Sequence, residues 1–167
     1  MCGILGDINF NGINKLIFEK QLEVINHRGP DSTGIWHNSN NTVFLGSKRL
    51  SIQDLSTNGN MPMKSDDGRY IIVFNGEIYN FKIIKSTLSK FGFTFSSGSD
   101  TEVVLKSFIY YGTSFLKYLK GMFAIAIYDS VKEELILARD RIGEKPLYYW
   151  KNSNGISFAS QLNQLFL

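Results

Sequence analysis

Position 2 of this 167-residue chain is its only cysteine, and it directly follows Met1. Removal of Met1 would leave Cys2 with a free α-amine of pKa about 7.7–8.0 beside its thiol. Such an amine can take the thiol proton, directly or through a water, so one residue would combine nucleophile and base. A thiol that attacks an amide also needs donors aimed at the developing oxyanion. Asn75 and Gly76 follow the apolar run YIIVF at 70–74 and offer a side-chain amide and a backbone N–H. A substrate with charged ends must be held by them. Arg49 has the forked geometry that suits a carboxylate, and Glu77 and Asp100 carry the charge that suits an ammonium.

Taken singly, each of these residues has a plain structural explanation. A lone cysteine is most often a small buried apolar residue. Asn-Gly is a strong turn signal, and an acid such as Asp100 is favoured at a helix start by the helix dipole. The weight lies in the set. A Cys–His pair would have to use His27 or His37, and the terminal amine makes a histidine base unnecessary. With two histidines and no second cysteine, no metal-ligand spacing is present.

The elements that must position these groups follow from periodicity. Residues 3–10 read as a strand, and residues 15–26 as a helix burying Phe18, Leu22 and Ile25. The turn-rich HRGPDSTG at 27–34 leads into a hairpin, GIWH and then TVFLGS. RLSIQ at 49–53 alternates like a short strand, and residues 56–69 form a loop. The run at 70–74 is continuous enough to be covered on both faces, and Asn75-Gly76 is expected to break it. A helix from Asn80 would bury Phe81, Ile84, Leu88 and Phe91. A second, from Asp100, carries Ser99-x-x-Glu102 in the form of a capping box. Strands follow in MFAIAIYD, ELILARD, PLYYWK and GISFAS, the first two a hairpin across 130–134, and residues 161–167 begin another helix. Strands flanking a helical pair imply two sheets with helices outside them.

Composition narrows the class further. Hydrophobic residues are 43%, charged residues 20% and aromatics 14%, which is globular rather than disordered, and the length suits one domain over 1–167. The net charge of +3 is spread along the chain, so no nucleic-acid partner is expected. No apolar run reaches the roughly 18 residues of a membrane helix, and MCGILGDINF lacks a basic leader, so the expectation is a cytoplasmic protein without a membrane partner. Neither G-x-x-x-x-G-K nor G-x-G-x-x-G is present, so no phosphate-binding loop is visible.

With those residues laid out, the chain resembles the class II glutamine amidotransferases, which are amino-terminal-nucleophile (Ntn) hydrolases. Within them it is most similar to the glutaminase domain of glutamine-dependent asparagine synthetases. The matching segments are MCGILG at 1–6, HRGPDSTG at 27–34, RLSI at 49–52, FNGEIYN at 74–80, SGSDTEVVL at 97–105, GMFAIAIYD at 121–129 and ARDRIGEKPLYY at 138–149, in family order. HRGPD, NGEIYN and RDRIGEKPLYY point to the asparagine-synthetase branch.

The resemblance implies an α+β fold, a four-layer αββα sandwich of two antiparallel sheets. It also implies roles: Cys2 forms a glutamyl thioester, Asn75 and Gly76 form the oxyanion hole, and Arg49 holds the α-carboxylate. The backbone around Ile52 and Gln53 lines the pocket, while Glu77 and Asp100 meet the α-amino end. L-Glutamine is then the substrate, and no metal or organic cofactor is needed for this half-reaction. ATP and magnesium belong to a downstream synthetase domain, a partner that would receive the ammonia and would begin where this chain ends; a homodimer is left open. Two positions depart from the family pattern: Met61 where a glutamine often precedes Pro62, and Gln161 where a glutamate is common. The competing expectation is a catalytically silent domain kept as a regulatory or assembly module, which predicts no glutamine turnover and a retained Met1.

Overall fold

Period-two alternation sets the strands, and the structure, a computed structural model, describes residues 2–166. In chain order these are β1 (Gly3–Asn9), helix α1 (Lys15–Glu23), β2 (Ser32–His37), β3 (Val43–Arg49), β4 (Met63–Lys64) and β5 (Tyr70–Ile78). Helices α2 (Phe81–Lys90) and α3 (Asp100–Tyr111) come next, then β6 (Gly121–Asp129), β7 (Glu134–Arg139), β8 (Tyr148–Asn152) and β9 (Gly155–Ala159). One sheet has the order β2-β3-β1-β9-β8 and the other β4-β5-β6-β7. Every pairing between strands is antiparallel.

Three apolar clusters define the layers. Phe18 and Leu22 of α1 pack on Leu5, Phe44 and Ala159, on the outer face of the first sheet. Ile4, Val43, Leu45 and Phe158 meet Ile71, Val73, Ala124 and Ala126 between the two sheets. Ile72, Phe74 and Ile78 pack outward with Ile84, Leu88, Val104 and Phe108 of α2 and α3. The order is therefore helix, sheet, sheet, helices, the αββα sandwich expected. Along β5, odd-numbered residues face the other sheet and even-numbered residues face the helices.

Several expectations need correcting. Asn75-Gly76 does not break the strand, because β5 continues to Ile78 and pairs these two residues with Ala124 and Phe123. A Cβ on Gly76 would lie 2.2 Å from the Met122 carbonyl oxygen, so the glycine serves a close approach between strands rather than a turn. RLSIQ is not a strand; Arg49 ends β3, and residues 50–53 form irregular chain. The predicted loop 56–69 contains β4 and a short 3-10 turn at Thr57–Gly59. Phe91 lies outside the buried face of α2 and stacks on Tyr110 instead. The capping box is half present: the Ser99 hydroxyl accepts the Thr101 N–H, while Glu102 turns to Ser96 and Ser97. The last segment is a 3-10 turn, Leu162–Phe166, rather than an α-helix. Met1 and Leu167, on which removal of the first residue and the end of that helix bear, lie outside the described residues.

Candidate active site

The backbone of β5 creates the centre of the site. Tyr79 donates to the Lys120 carbonyl (2.8 Å) and Ser130 donates to the Arg69 carbonyl (2.9 Å), so odd-numbered β5 residues form the hydrogen-bonded pairs with β6. Even-numbered residues therefore turn their N–H groups to the opposite edge. There Tyr70 donates to the Ser65 hydroxyl (2.9 Å), Phe74 to the Met61 sulfur (3.3 Å) and Ile78 to Asp100 Oδ2 (2.9 Å). β4 covers this edge only opposite Ile71 and Ile72. Gly76, between Phe74 and Ile78, is left with its N–H toward a cleft that it lines.

Asn75 precedes it and, by parity, turns toward the other sheet. Its side chain is 1% exposed, and neither Nδ2 nor Oδ1 has a protein partner among the described residues. An unpartnered buried amide costs about 1–3 kcal/mol, a cost that catalytic sites bear where a donor must be kept for a reacting group. Cys2, just before β1 and in phase with Ile4, lines the same cleft. Its thiol points at the Leu50 carbonyl at 3.7 Å.

The empty space of the cleft is roughly 640 Å³ when the open solvent at its mouth is included. Cys2, Arg49, Ile52, Gln53, Asn75, Gly76, Glu77 and Asp100 all line it, so every residue singled out from the sequence converges on one place. Arg49 is buried, and its guanidinium donates to Ser56 O (3.0 Å), Asn60 Oδ1 (2.7 Å) and Asp54 O. Of its five N–H donors, three go to this loop and two remain for a ligand. Gly59 makes the wrapping feasible, since a Cβ there would lie 2.4 Å from Arg49 Nη2. Asp54 fastens the loop further by accepting the Gly98 N–H at 2.8 Å.

In the same cleft, burial pushes the Asp100 carboxyl up to about 6; the Ile78 and Thr101 N–H groups oppose this, and the neighbouring Glu77 charge adds to it. A carboxylate held in that way gains most from a cation placed beside it. Glu77 Oε1 accepts from the Gln53 side-chain amide at 3.3 Å.

The structure adds residues that had not been singled out. Arg28, inside HRGPDSTG, donates from Nε to the Cys2 carbonyl at 3.1 Å and so fixes the backbone of the nucleophile. Burial lowers its pKa, and the charge of Cys2 partly restores it. Burial would raise Asp140, but N–H groups of Lys145, Glu144, Phe123 and Gly143 outweigh it and hold the group at about 2. That carboxylate seats Lys145, 5% exposed, in the cleft wall beside Met122. The only sign of these roles in the sequence was the dense motif around each residue. Among the described residues no group of three or more His, Cys, Asp or Glu side chains is arranged to hold a metal, and no helix is long and apolar enough to cross a membrane.

Comparison with known proteins agrees with this geometry. A solved structure that shares little sequence has the same fold: a Bacillus subtilis glutamine phosphoribosylpyrophosphate amidotransferase complexed with ADP and GMP superposes with a TM-score of 0.83 over 99% of this chain and 43% of that one, at 21% identity.

 At that identity the likeness shows the fold alone. Among curated relatives, an asparagine synthetase (glutamine-hydrolysing) of Bacillus subtilis strain 168 is 38% identical over 172 residues, covering 100% of this chain and 27% of its own length. A putative asparagine synthetase of Methanocaldococcus jannaschii is 38% identical over 97% of this chain and 34% of its own length. An amidase, chry2, of Gibberella zeae is 39% identical over 97% of this chain and 26% of its own length. The chain thus spans about a quarter to a third of the length of these relatives. A family model described as a glutamine amidotransferase domain matches residues 1–167, and the chain belongs to that family.

Proposed function

We propose that the chain hydrolyses the side-chain amide of L-glutamine through Cys2, releasing L-glutamate and ammonia. The observation that carries this reading is the buried, unpartnered Asn75 amide beside the cleft-facing Gly76 N–H, in a cleft that Cys2 also lines. Two donors at that point suit an oxyanion.

The α-amine of Cys2, freed by loss of Met1, takes the thiol proton, and the thiolate attacks the amide carbon. The resulting oxyanion rests on Asn75 Nδ2 and the Gly76 N–H. Collapse breaks the C–N bond as the terminal ammonium returns its proton to the departing nitrogen, giving ammonia and a glutamyl thioester. A water deprotonated by the same amine then cleaves the thioester, and glutamate leaves. Arg49 takes the α-carboxylate with its two remaining donors, the backbone at Ile52 and Gln53 lines the pocket, and Glu77 and Asp100 take the α-ammonium. Arg28 is a positioning residue that acts through the Cys2 carbonyl. No cofactor enters these steps.

The ammonia would pass to an ATP- and magnesium-dependent synthetase domain or subunit of the kind found in the longer relatives, which amidates a carboxylic acid. Purified chain lacking Met1 is expected to release glutamate from glutamine, and Cys2→Ala to abolish release. Intact-mass measurement establishes the state of residue 1. Full turnover by Cys2→Ala, or none by the processed parent, overturns the reading.

A further inference from the structure

The Gln53 side chain has no place in the chemistry above, yet it donates from Nε2 to Glu77 Oε1 at 3.3 Å. Among the described residues this is the one side-chain hydrogen bond between residues 50–56 and β5. A carboxylate only accepts, so the amide nitrogen is the atom that must face it. The backbone beside Gln53 is held independently. Asp54 is fastened to Gly98 through its side chain and to Arg49 through its carbonyl, and Asn58 donates to the Ser96 carbonyl at 3.0 Å. The loop therefore does not need the Glu77 contact in order to keep its course.

We infer that the Gln53 side chain is an internal competitor for Glu77 and weakens the cleft's hold on the ammonium of an α-amino acid. This rests on the glutamine reading. Glu77 and the buried Asp100 are neighbouring carboxylates that both line the cleft, where one ammonium would serve both. In the free protein the neutral amide partly satisfies Glu77. An incoming ammonium makes the stronger, charge-assisted bond, but it must first displace the amide. Gln53 thus sets affinity through what it occupies rather than through contact with the reacting atoms.

Titration calorimetry of L-glutamine into the Cys2→Ala chain, where turnover is prevented, reads this directly. Gln53→Leu removes the competitor and is expected to tighten binding about two- to fivefold, the worth of one exposed polar bond to a charge. Gln53→Lys places a tethered ammonium on Glu77 and is expected to weaken binding at least tenfold. Binding of 4-carbamoylbutanoate, which has the carboxylate and amide of glutamine but no ammonium, should follow neither change. Thermal melts of each variant report whether the fold is kept. Unchanged or weaker glutamine binding by a folded Gln53→Leu overturns the inference, as does equal response of the ligand without the ammonium. Failure of the hydrolytic reading is a separate result, seen as glutamine binding without glutamate release by the Cys2 parent. Absence of glutamine binding in every chain sinks both.

Discussion

The Asp100 carboxylate accepts the Ile78 N–H at 2.9 Å, which ties the first residue of α3 to the β5 edge two residues beyond Gly76. A group proposed to receive the substrate ammonium therefore also closes the row of edge donors that leaves the Gly76 N–H on the cleft. Burial raises this carboxyl to about 6, and the Glu77 charge adds to the rise.

The sign of the resulting pH dependence follows. Between about pH 4 and 6 the folded chain keeps a proton that the unfolded chain has released, so stability falls as pH rises through that window and then levels off. A rise of about two pK units corresponds to about 3 kcal/mol. Asp100→Asn keeps an acceptor for Ile78 and removes the charge. It is expected to be more stable than the parent at pH 7 by up to about 3 kcal/mol, to lose that advantage at pH 4, and to lose most glutamine affinity. Urea unfolding at the two pH values checks the stability, and an equal advantage at both contradicts the assignment. In the parent, kcat/KM for glutamine should rise with pH through about 6 as Asp100 ionises.

Asn75→Ala separates catalysis from folding. Loss of one oxyanion donor costs about 10²–10³ in kcat. The truncation also removes a buried amide that has no protein partner among the described residues, so the fold should lose little. The expected outcome is a large fall in kcat with a melting temperature close to that of the parent. A variant that melts far earlier, or that turns over at the parent rate, contradicts the role.

What could be read from the sequence depended on the range of the physics involved. Period-two and period-3.6 patterns are local, and they placed β5, α2, α3 and the β6–β7 hairpin correctly. The Asn75-Gly76 dipeptide misled because its turn propensity is also local, whereas its pairing with Ala124 and Phe123 is not. Ser99-x-x-Glu102 misled for the same reason: Glu102 found better donors in Ser96 and Ser97, upstream of the cap. Cys2, Arg49, Glu77 and Asp100 stood out by residue type, the resemblance gave them roles, and their convergence on one cleft needed the fold. Arg28 and Lys145 act through tertiary contacts that no spacing discloses.

Arg49→Lys tests a residue with two duties. A lysine keeps the charge but cannot reach Ser56, Asn60 and Asp54 while presenting two donors to a carboxylate. Loss of charge-assisted bonds worth about 3 kcal/mol in all should weaken glutamine about a hundredfold. The loop should loosen as well, seen as faster amide hydrogen exchange at Gly59 and Asn60. Weakened binding with unchanged exchange would mean that the loop is held without Arg49.

Glu102 is the opposite case from Asp100, a buried carboxylate held for the fold. Burial works to raise its pKa, but hydrogen bonds from Ser97, Ser96 and Lys106 prevail and hold it at about 2. Lys106 lies 3.0 Å away and is itself almost fully buried. A depressed carboxyl contributes stability that is fully present above its unfolded pKa of about 4.5 and is lost as pH falls toward 2. Glu102→Gln would leave the Lys106 ammonium with the Thr94 carbonyl, the exposed Asp66 and the face of the Phe95 ring. Breaking one partner from a buried pair costs about 3–5 kcal/mol, so the variant should unfold at markedly lower urea at pH 7. Because Ser96, Ser97 and Lys106, the polar partners of Glu102, do not line the cleft, kcat of the folded fraction should change far less than stability. The gap between the two chains should narrow below pH 4, as the parent carboxylate takes up its proton. A gap that stays constant from pH 7 down to pH 3 would show that packing, rather than the charge, is what the residue supplies.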